Sequence, residues 1–362
     1  MLLLITKYSN YLIRLFFKNL LIISIVFLFL SFFLNIFEEL KYLDGKNNNI
    51  FYPVLLTVLN IPSILFEILP FIFLLGVMFF FINLYDKEEI ELFRSHGINN
   101  FKITFIISLS SLLLGILLII IYYSFSSNLK SLYLNFKYQF SNESDHLAVV
   151  NEDGLWIKEK NEDYIFIVNA TKFKFDILEN VTISQLDKNY KLIKTIIADK
   201  ANIEKKKWNL KNVKILKEDK KPEYNKNYTY FSSFNGQIIS NLYSNLNSLN
   251  IFQLLKLKKN YKSIGYSATD VKLHLNKLYS LPVYLTLMTI IGTLIMLKLS
   301  LIKSKFFLVV IGVTVSVIFY YINYFSILFG KNETLPVEIA IWLPQVLIFL
   351  ICALGITRLN EN

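Results

Sequence analysis

Apolar residues along this chain gather into six long blocks, with the charged residues collected between them. A membrane-spanning helix needs about 20 mostly apolar residues. Six stretches approach or exceed that length: residues 20–37, 61–85, 103–125, 278–297, 306–329 and 339–356. The pattern therefore predicts six spanning helices, three on each side of a long middle segment. The first block does not read as a cleavable leader, because a segment carrying Lys7, Arg14 and Lys18 precedes it and no small-residue cleavage site follows. Residues 2–18 are apolar over most of one face, so they either lie in the membrane interface or extend the first helix.

The middle segment, residues 126–277, has a different period. Stretches 155–158, 164–168, 181–186, 192–198 and 213–216 are rich in β-branched and aromatic residues. Turn residues separate them: Glu152-Asp153-Gly154, Asn161-Glu162-Asp163, Asp187-Lys188-Asn189 and Lys205-Lys206-Lys207. Short strands with turns at this spacing predict an antiparallel sandwich or jelly roll. After Gly236 the period becomes helical, with Ile251, Leu254, Leu255 and Leu257 on one stretch and a second helix over 270–279 leading into the fourth span. The expected fold is an α-helical polytopic membrane protein with six transmembrane helices and an inserted all-β, jelly-roll-like periplasmic domain. Residues 1–125 hold helices one to three, 126–277 the β domain with a helical connector, and 278–362 helices four to six.

Charge sets the orientation. Short cytoplasmic loops carry an excess of Lys and Arg. With the N-terminus inside, the cytoplasmic segments hold Lys7, Arg14, Lys18, Lys87, Arg94, Lys102, Lys298, Lys303, Lys305 and Arg358, against Lys41, Lys46 and Lys331 in the short outer loops. Both termini are therefore expected in the cytoplasm and the β domain outside. That domain has 25 Lys against 16 Asp or Glu and so carries most of the chain's net +11. Beside a membrane, the nearer partner for such a surface is lipid rather than nucleic acid.

Candidate chemistry is sparse. The two Gly-Lys pairs, Gly45-Lys46 and Gly330-Lys331, are each followed by Asn, and Leu40 and Phe325 stand where a phosphate loop would begin with Gly. His96, His146 and His274 lie far apart, without a metal-ligand spacing. No cofactor, metal or catalytic set is expected. Cys352, the one cysteine, sits in the last span, so no intrachain disulfide forms. Glu67 is the one carboxylate well inside a span, and reads as interfacial or facing a wet cavity rather than as a proton path.

Residues 86–97 are more informative. Asp86 is placed to cap a helix with Glu89 at the capping-box position, and Gly97 suits a left-handed stop. A cytoplasmic helix of about three turns is predicted, with Ile90 and Phe93 on one side and an acidic remainder. A short capped helix in a tight loop suits a point where a cytoplasmic motor pushes on membrane spans, although a solvated loop helix has the same pattern.

Four regions together resemble a known family. Leu69-Pro70, Gly76, Glu89-Ile90 through Arg94 and Gly97-Ile98 are similar to the second span and coupling helix of the LptF/LptG (YjgP/YjgQ) lipopolysaccharide export permeases. Ala198-Asp199-Lys200-Ala201 followed by Trp208-Asn209-Leu210 resembles that family's strand pair. Leu254 through Gly265, then Lys277 and Pro282, resembles its segment leading into span four, and Leu335-Pro336 with Trp342-Leu343-Pro344 its closing span. Phe37-Glu38-Glu39-Leu40-Lys41 resembles LptG more than LptF.

The resemblance implies a permease subunit of an ABC-type exporter in the inner membrane. Its partners would be a paralogous permease subunit, a cytoplasmic ATPase dimer, a single-span jelly-roll protein and a periplasmic bridge protein. It implies coupling through Glu89, Ile90, Phe93, Arg94 and Gly97. Lipopolysaccharide phosphates would meet cations at the outer membrane surface, where Lys41, Lys46, Lys130 and Lys137 are expected, while Phe-, Leu- and Ile-rich spans one, two and five would offer an apolar cavity. The competing readings are a mechanotransmission-type ABC permease, for which four spans and a mixed α/β outer domain are expected, and a structural membrane scaffold.

The orientation is directly testable. Single cysteines at Asn161 and Asn332 should react with a membrane-impermeant thiol reagent in intact spheroplasts, and one at Ser304 should not. Labelling at Ser304 alone would invert the topology.

Overall fold

The structure is a computed structural model that describes residues 2–43, 50–139, 155–160, 164–174, 176–188, 190–217, 221–232, 236, 245–263, 268–299 and 304–359. It divides into two compact units, Met1–Tyr133 with Thr269–Asn362, and Leu134–Ala268.

Among the described residues, six helices are long and apolar enough to cross a membrane, all within the first unit except for the last residues of the third, which fall in the second. They are α1 (Leu2–Leu43), α2 (Phe51–Asp86), α4 (Asn100–Leu117) continued by α5 (Ser124–Gln139), α7 (Thr269–Leu299), α8 (Lys305–Lys331) and α9 (Val337–Leu359). The short α3 (Glu89–Ser95) joins α2 to α4, and one π-helical turn, Leu118–Tyr123, joins α4 to α5. All six predicted spans are present, and each is longer than its apolar block. The amphipathic N-terminal residues extend the first helix: α1 runs unbroken for 42 residues, about 63 Å at 1.5 Å per residue.

The helices are unequally covered. In α2 and α7, 61% and 67% of the most apolar window is buried, against 22% in α1 and 17% in α8. The well-covered pair meets at small residues. A Cβ on Gly292 of α7 would lie 2.5 Å from a Val77 methyl and 3.0 Å from the Leu74 carbonyl oxygen of α2. Gly115 of α4 is as constrained, since a Cβ there would be 2.8 Å from the Pro282 Cα of α7. Polar side chains tie the same helices. Ser111 and Thr289 share a hydrogen bond of 2.9 Å between α4 and α7. Asn83 donates to Asn19 at 2.5 Å and Asn60 to Asn35 at 3.3 Å, linking α2 to α1 at two levels. Interhelical bonds of this kind contribute roughly 0.6–2 kcal/mol each in a membrane.

Among its described residues the second unit holds six antiparallel strands: β1 (Leu155–Lys160), β2 (Ile165–Lys174), β3 (Ile177–Leu186), β4 (Leu192–Asn202), β5 (Lys207–Lys217) and β6 (Glu223–Phe231). Each strand pairs with its sequence neighbours, in the order β1-β2-β3-β4-β5-β6, so the connectivity is a meander. Helix α6 (Ile251–Ser263) follows. The sheet is folded along one row. Thr171, Asn180, Asp199 and Asn212 lie opposite one another on β2 to β5, between register pairs that flank them on both sides. At that row the buried positions step by three instead of two: Leu178 to Val181, Ala198 to Ala201, and Leu210 to Val213. Asn180 and Asn212 take φ of 51° and 52°. Their side chains donate to Thr171 Oγ1 at 3.0 Å and Asp199 Oδ2 at 2.9 Å. The strands run on across the crease while their inward face changes phase, and both halves feed one apolar core around Trp208.

The fold also brings the two marginal strands together. Glu159 on β1 accepts from Tyr230 on β6 at 2.8 Å and from Ser232 just beyond it at 2.7 Å. All three residues are buried. Burial, reinforced by the Glu159 carboxylate, holds the Tyr230 hydroxyl protonated well above the usual phenol range. The inserted all-β domain expected from sequence is present as six antiparallel strands, in the sequential order of a meander rather than the Greek-key order of a jelly roll.

The crease makes a specific prediction. A β-branched side chain at Asn212 must occupy a left-handed conformation that costs L-residues about 1–2 kcal/mol, so Asn212→Val should lower the melting temperature of the full chain in detergent. Asn212→Gly, which accepts that conformation, should cost less. Equal melting of the two variants would remove the crease as a constraint.

Candidate functional site

Helix α3 is shorter than the sequence predicts and begins differently. It spans Glu89–Ser95, two turns rather than three, and the expected cap at Asp86 does not form. Asp86 is instead the last residue of α2, and its carboxylate pairs with the Lys305 ammonium at the start of α8. Glu88 precedes α3 at φ 58°, without a side-chain cap. A membrane helix extends while its residues allow, and the ion pair to α8 holds the carboxylate that a cap would need.

The C-terminal stop is complete. Gly97 has φ +77°, its N–H donates to the Arg94 carbonyl at 3.0 Å, and the Ile98 N–H donates to the Phe93 carbonyl at 2.9 Å. These are the two bonds of a Schellman motif. Asn99 then caps α4 by accepting from the Lys102 N–H at 3.0 Å, and Arg94 Nε donates to Asn100 at 3.2 Å. The direction of the chain between α3 and α4 is therefore fixed by hydrogen bonds.

The five expected coupling residues divide into three groups. Ile90 is 2% exposed, and the Tyr11 hydroxyl of α1 reaches both oxygens of Glu89, at 2.8 and 2.7 Å. These two residues bind α3 to its own chain and are not an outward surface. Leu92, which is 57% exposed, faces outward together with Glu91 and Arg94. Phe93 and Gly97 line a groove of about 800 Å³ with Tyr8, Phe101, Lys102 and Phe105.

The four expected lysines also separate. Lys46 lies outside the described residues. Lys41 is exposed near the end of α1. Lys137 is half-buried on α5, within the second unit. Lys130 belongs to a polar network at the end of the first unit opposite α3. Its ammonium donates to Asn60 Oδ1 at 2.6 Å and lies 4.5 Å from the centre of the Tyr133 ring. Tyr133 donates to Glu39, which is 0% exposed, at 2.8 Å. Sequence reading missed Tyr11, Asn60, Tyr133 and the role of Glu39. The available signal was polar residues inside otherwise apolar helices. No group of His, Cys, Asp and Glu suited to a metal occurs among the described residues.

A family model described as lipopolysaccharide export system permease LptF/LptG matches residues 10–358. No curated protein matches the chain. The match covers nearly the whole chain and does not separate LptF from LptG. The chain belongs to the LptF/LptG family, and is a multi-pass inner-membrane permease of lipopolysaccharide export.

The attachment of α3 to α1 can be measured. Tyr11→Phe deletes the hydroxyl that holds Glu89, a charge-assisted bond worth about 1.5–3 kcal/mol where buried and less at this partly exposed site. Amide hydrogen exchange across residues 89–96 should accelerate several-fold while α4 is unchanged. Unaltered exchange would mean that the bond does not position the helix.

Proposed function

We propose that this member of the LptF/LptG family is the permease subunit of an ABC-type exporter that takes lipopolysaccharide from the inner membrane and passes it to a periplasmic bridge. Both termini and α3 would then face the cytoplasm and the β domain the periplasm, as the loop charges indicate. An ATPase dimer would bind below, and the LptG member of the pair is favoured by Phe37-Glu38-Glu39-Leu40-Lys41.

The observation that carries this reading is the construction of α3. It is a short helix with a fixed exit, anchored by a buried Ile90 and by the Glu89–Tyr11 bond, with Leu92, Glu91 and Arg94 left outward. A solvated loop would not need such anchoring. A lever would, because a load on its outer face must reach the spans. On this reading Glu89 and Ile90 transmit the load to α1 and the bundle, while Leu92 and Arg94 meet the ATPase.

Two other features support the same role. Helices α1 and α8 are the least covered spans, which leaves apolar faces for a paralogous subunit and for lipid entering sideways. Among the described residues, β1 and β6 each hydrogen-bond to one neighbouring strand and meet each other through side chains alone, so on this reading their backbone edges would add strands from the single-span jelly-roll partner and the bridge protein. The six spans weigh against a mechanotransmission-type permease, and an anchored α3 against an inert scaffold.

The test is co-purification of the ATPase followed by lipopolysaccharide release from proteoliposomes. Leu92→Glu and Arg94→Glu should strongly reduce ATPase recovery, since spoiling a desolvated contact costs about 2–5 kcal/mol. Tyr11→Phe should recover the ATPase normally but release less lipid per ATP hydrolysed. Normal binding and transport by all three variants would reduce α3 to a loop.

A further inference from the structure

Among the described residues of the membrane-spanning unit, Glu39 is the most enclosed carboxylate, and neither coupling nor an apolar lipid path gives it a task. It lies on α1, 0% exposed, with Oε1 accepting from the Tyr133 hydroxyl at 2.8 Å. The ring of the same tyrosine lies 4.5 Å beneath the Lys130 ammonium. Lys130 donates to Asn60 at 2.6 Å, Asn60 to Asn35 at 3.3 Å, and Asn35 to Glu38 at 3.5 Å. An anion and a cation thus share one tyrosine across α1, α2 and α5, at the end of the bundle opposite α3.

A half-buried ammonium at the margin of hydrocarbon requires polar or anionic company. Here the chain supplies it. Lys130 is not held in readiness for a phosphate, as the sequence alone suggested, but is already engaged. We propose that Glu39 acts as an internal anion for Lys130, and that the phosphate of an arriving lipid competes with it for that cation. The proposal rests on the permease reading, and it adds a residue that decides which lipid is accepted.

The chemistry favours this exchange. A carboxylate offers one negative charge, whereas a phosphate monoester offers up to two and three acceptor oxygens. A phosphorylated lipid can therefore take over Lys130, while a lipid with an uncharged headgroup has nothing with which to displace Glu39. The cost of displacing Glu39 lowers the apparent affinity for every ligand of Lys130 by the same factor. Removing the carboxylate should thus tighten binding of the phosphorylated lipid. A residue with a purely structural role predicts the reverse, because its loss loosens the site.

The experiment uses the full chain in nanodiscs, with fluorescent bisphosphorylated lipid A and its dephosphorylated form as probes. Glu39→Gln should bind the bisphosphorylated probe about tenfold more tightly than the parent, equivalent to about 1.4 kcal/mol, and the dephosphorylated probe equally. Lys130→Gln should abolish the preference for phosphate, and Glu39→Asp should restore parental binding. Should Glu39→Gln fail to fold, Tyr133→Phe, which releases the carboxylate from its hydroxyl donor, should tighten phosphate-dependent binding by a smaller factor. If the folded variant binds the bisphosphorylated probe no tighter than the parent, the competition is wrong while the permease reading stands. If neither probe binds the parent or any variant, the permease reading falls with it.

Discussion

Inside hydrocarbon a backbone N–H or C=O has no water to bond, and each one left unsatisfied costs several kcal/mol. That constraint shapes the membrane unit. Its spans are unbroken helices that absorb Pro62, Pro70, Pro282 and Pro344 without ending. Hydroxyl side chains turn back on the helix itself, as Thr57 does to the Pro53 carbonyl and Thr286 to that of Pro282, each at 2.8 Å. Backbone that leaves the helical pattern must lie at the ends of spans, where α3 sits, and even there it is capped at the next opportunity. With the backbone so constrained, specificity passes to a few side chains: close glycines between α2 and α7, asparagines between α1 and α2, and the Tyr11 and Tyr133 hydroxyls.

The spans were legible in the sequence because length and apolarity alone specify a membrane helix. Their ends were less so, since charged residues such as Lys7, Lys18 and Lys41 continue a helix into polar surroundings without any change of conformation. The β domain was legible up to the crease and no further. Runs of β-branched and aromatic residues predicted strands starting at 181 and 213 and one ending at 198, next to the row where the inward face changes phase. The strands run on from Ile177, from Lys207 and to Asn202. The signal was present in Leu178–x–Asn180–Val181 and Leu210–x–Asn212–Val213, where an asparagine interrupts a period of two. The same geometry explains Ala198-Asp199-Lys200-Ala201. Both alanines are buried on either side of the crease, so they must be three apart and small.

Site residues were legible as types and not as partners. A pattern of caps identifies Asp86 as a good N-cap but cannot see Lys305, 219 positions away, which takes its carboxylate. A count of lysines near the outer surface identifies Lys130 but not Asn60, Tyr133 or Glu39 around it. Gly97 fared better because its requirement is local: the two bonds of the helix stop fall within the six residues Phe93 to Ile98. Long-range pairing separates what one sequence can reveal from what needs the fold.

The two networks share one element. Tyr11 and Glu39 stand 28 positions apart on α1, about 42 Å along a continuous helix. One end of that helix holds α3 and the other holds the lysine network, and the Asn19–Asn83 and Asn35–Asn60 bonds tie α2 alongside it. A helix is stiff along its axis, so a shift imposed at Glu89 need not be relayed through loops to reach Glu39. On the proposed reading, movement of α3 by the ATPase would translate or rotate α1 as a unit. The position of Glu39 relative to Tyr133 and Lys130 would change with it. If the carboxylate and the lipid phosphate compete for one cation as proposed, such a displacement would favour phosphate capture when Glu39 moves away and release when it returns. A single long helix with a tyrosine bond near each end is then enough to convert a push below the membrane into a change of lipid affinity at its outer face.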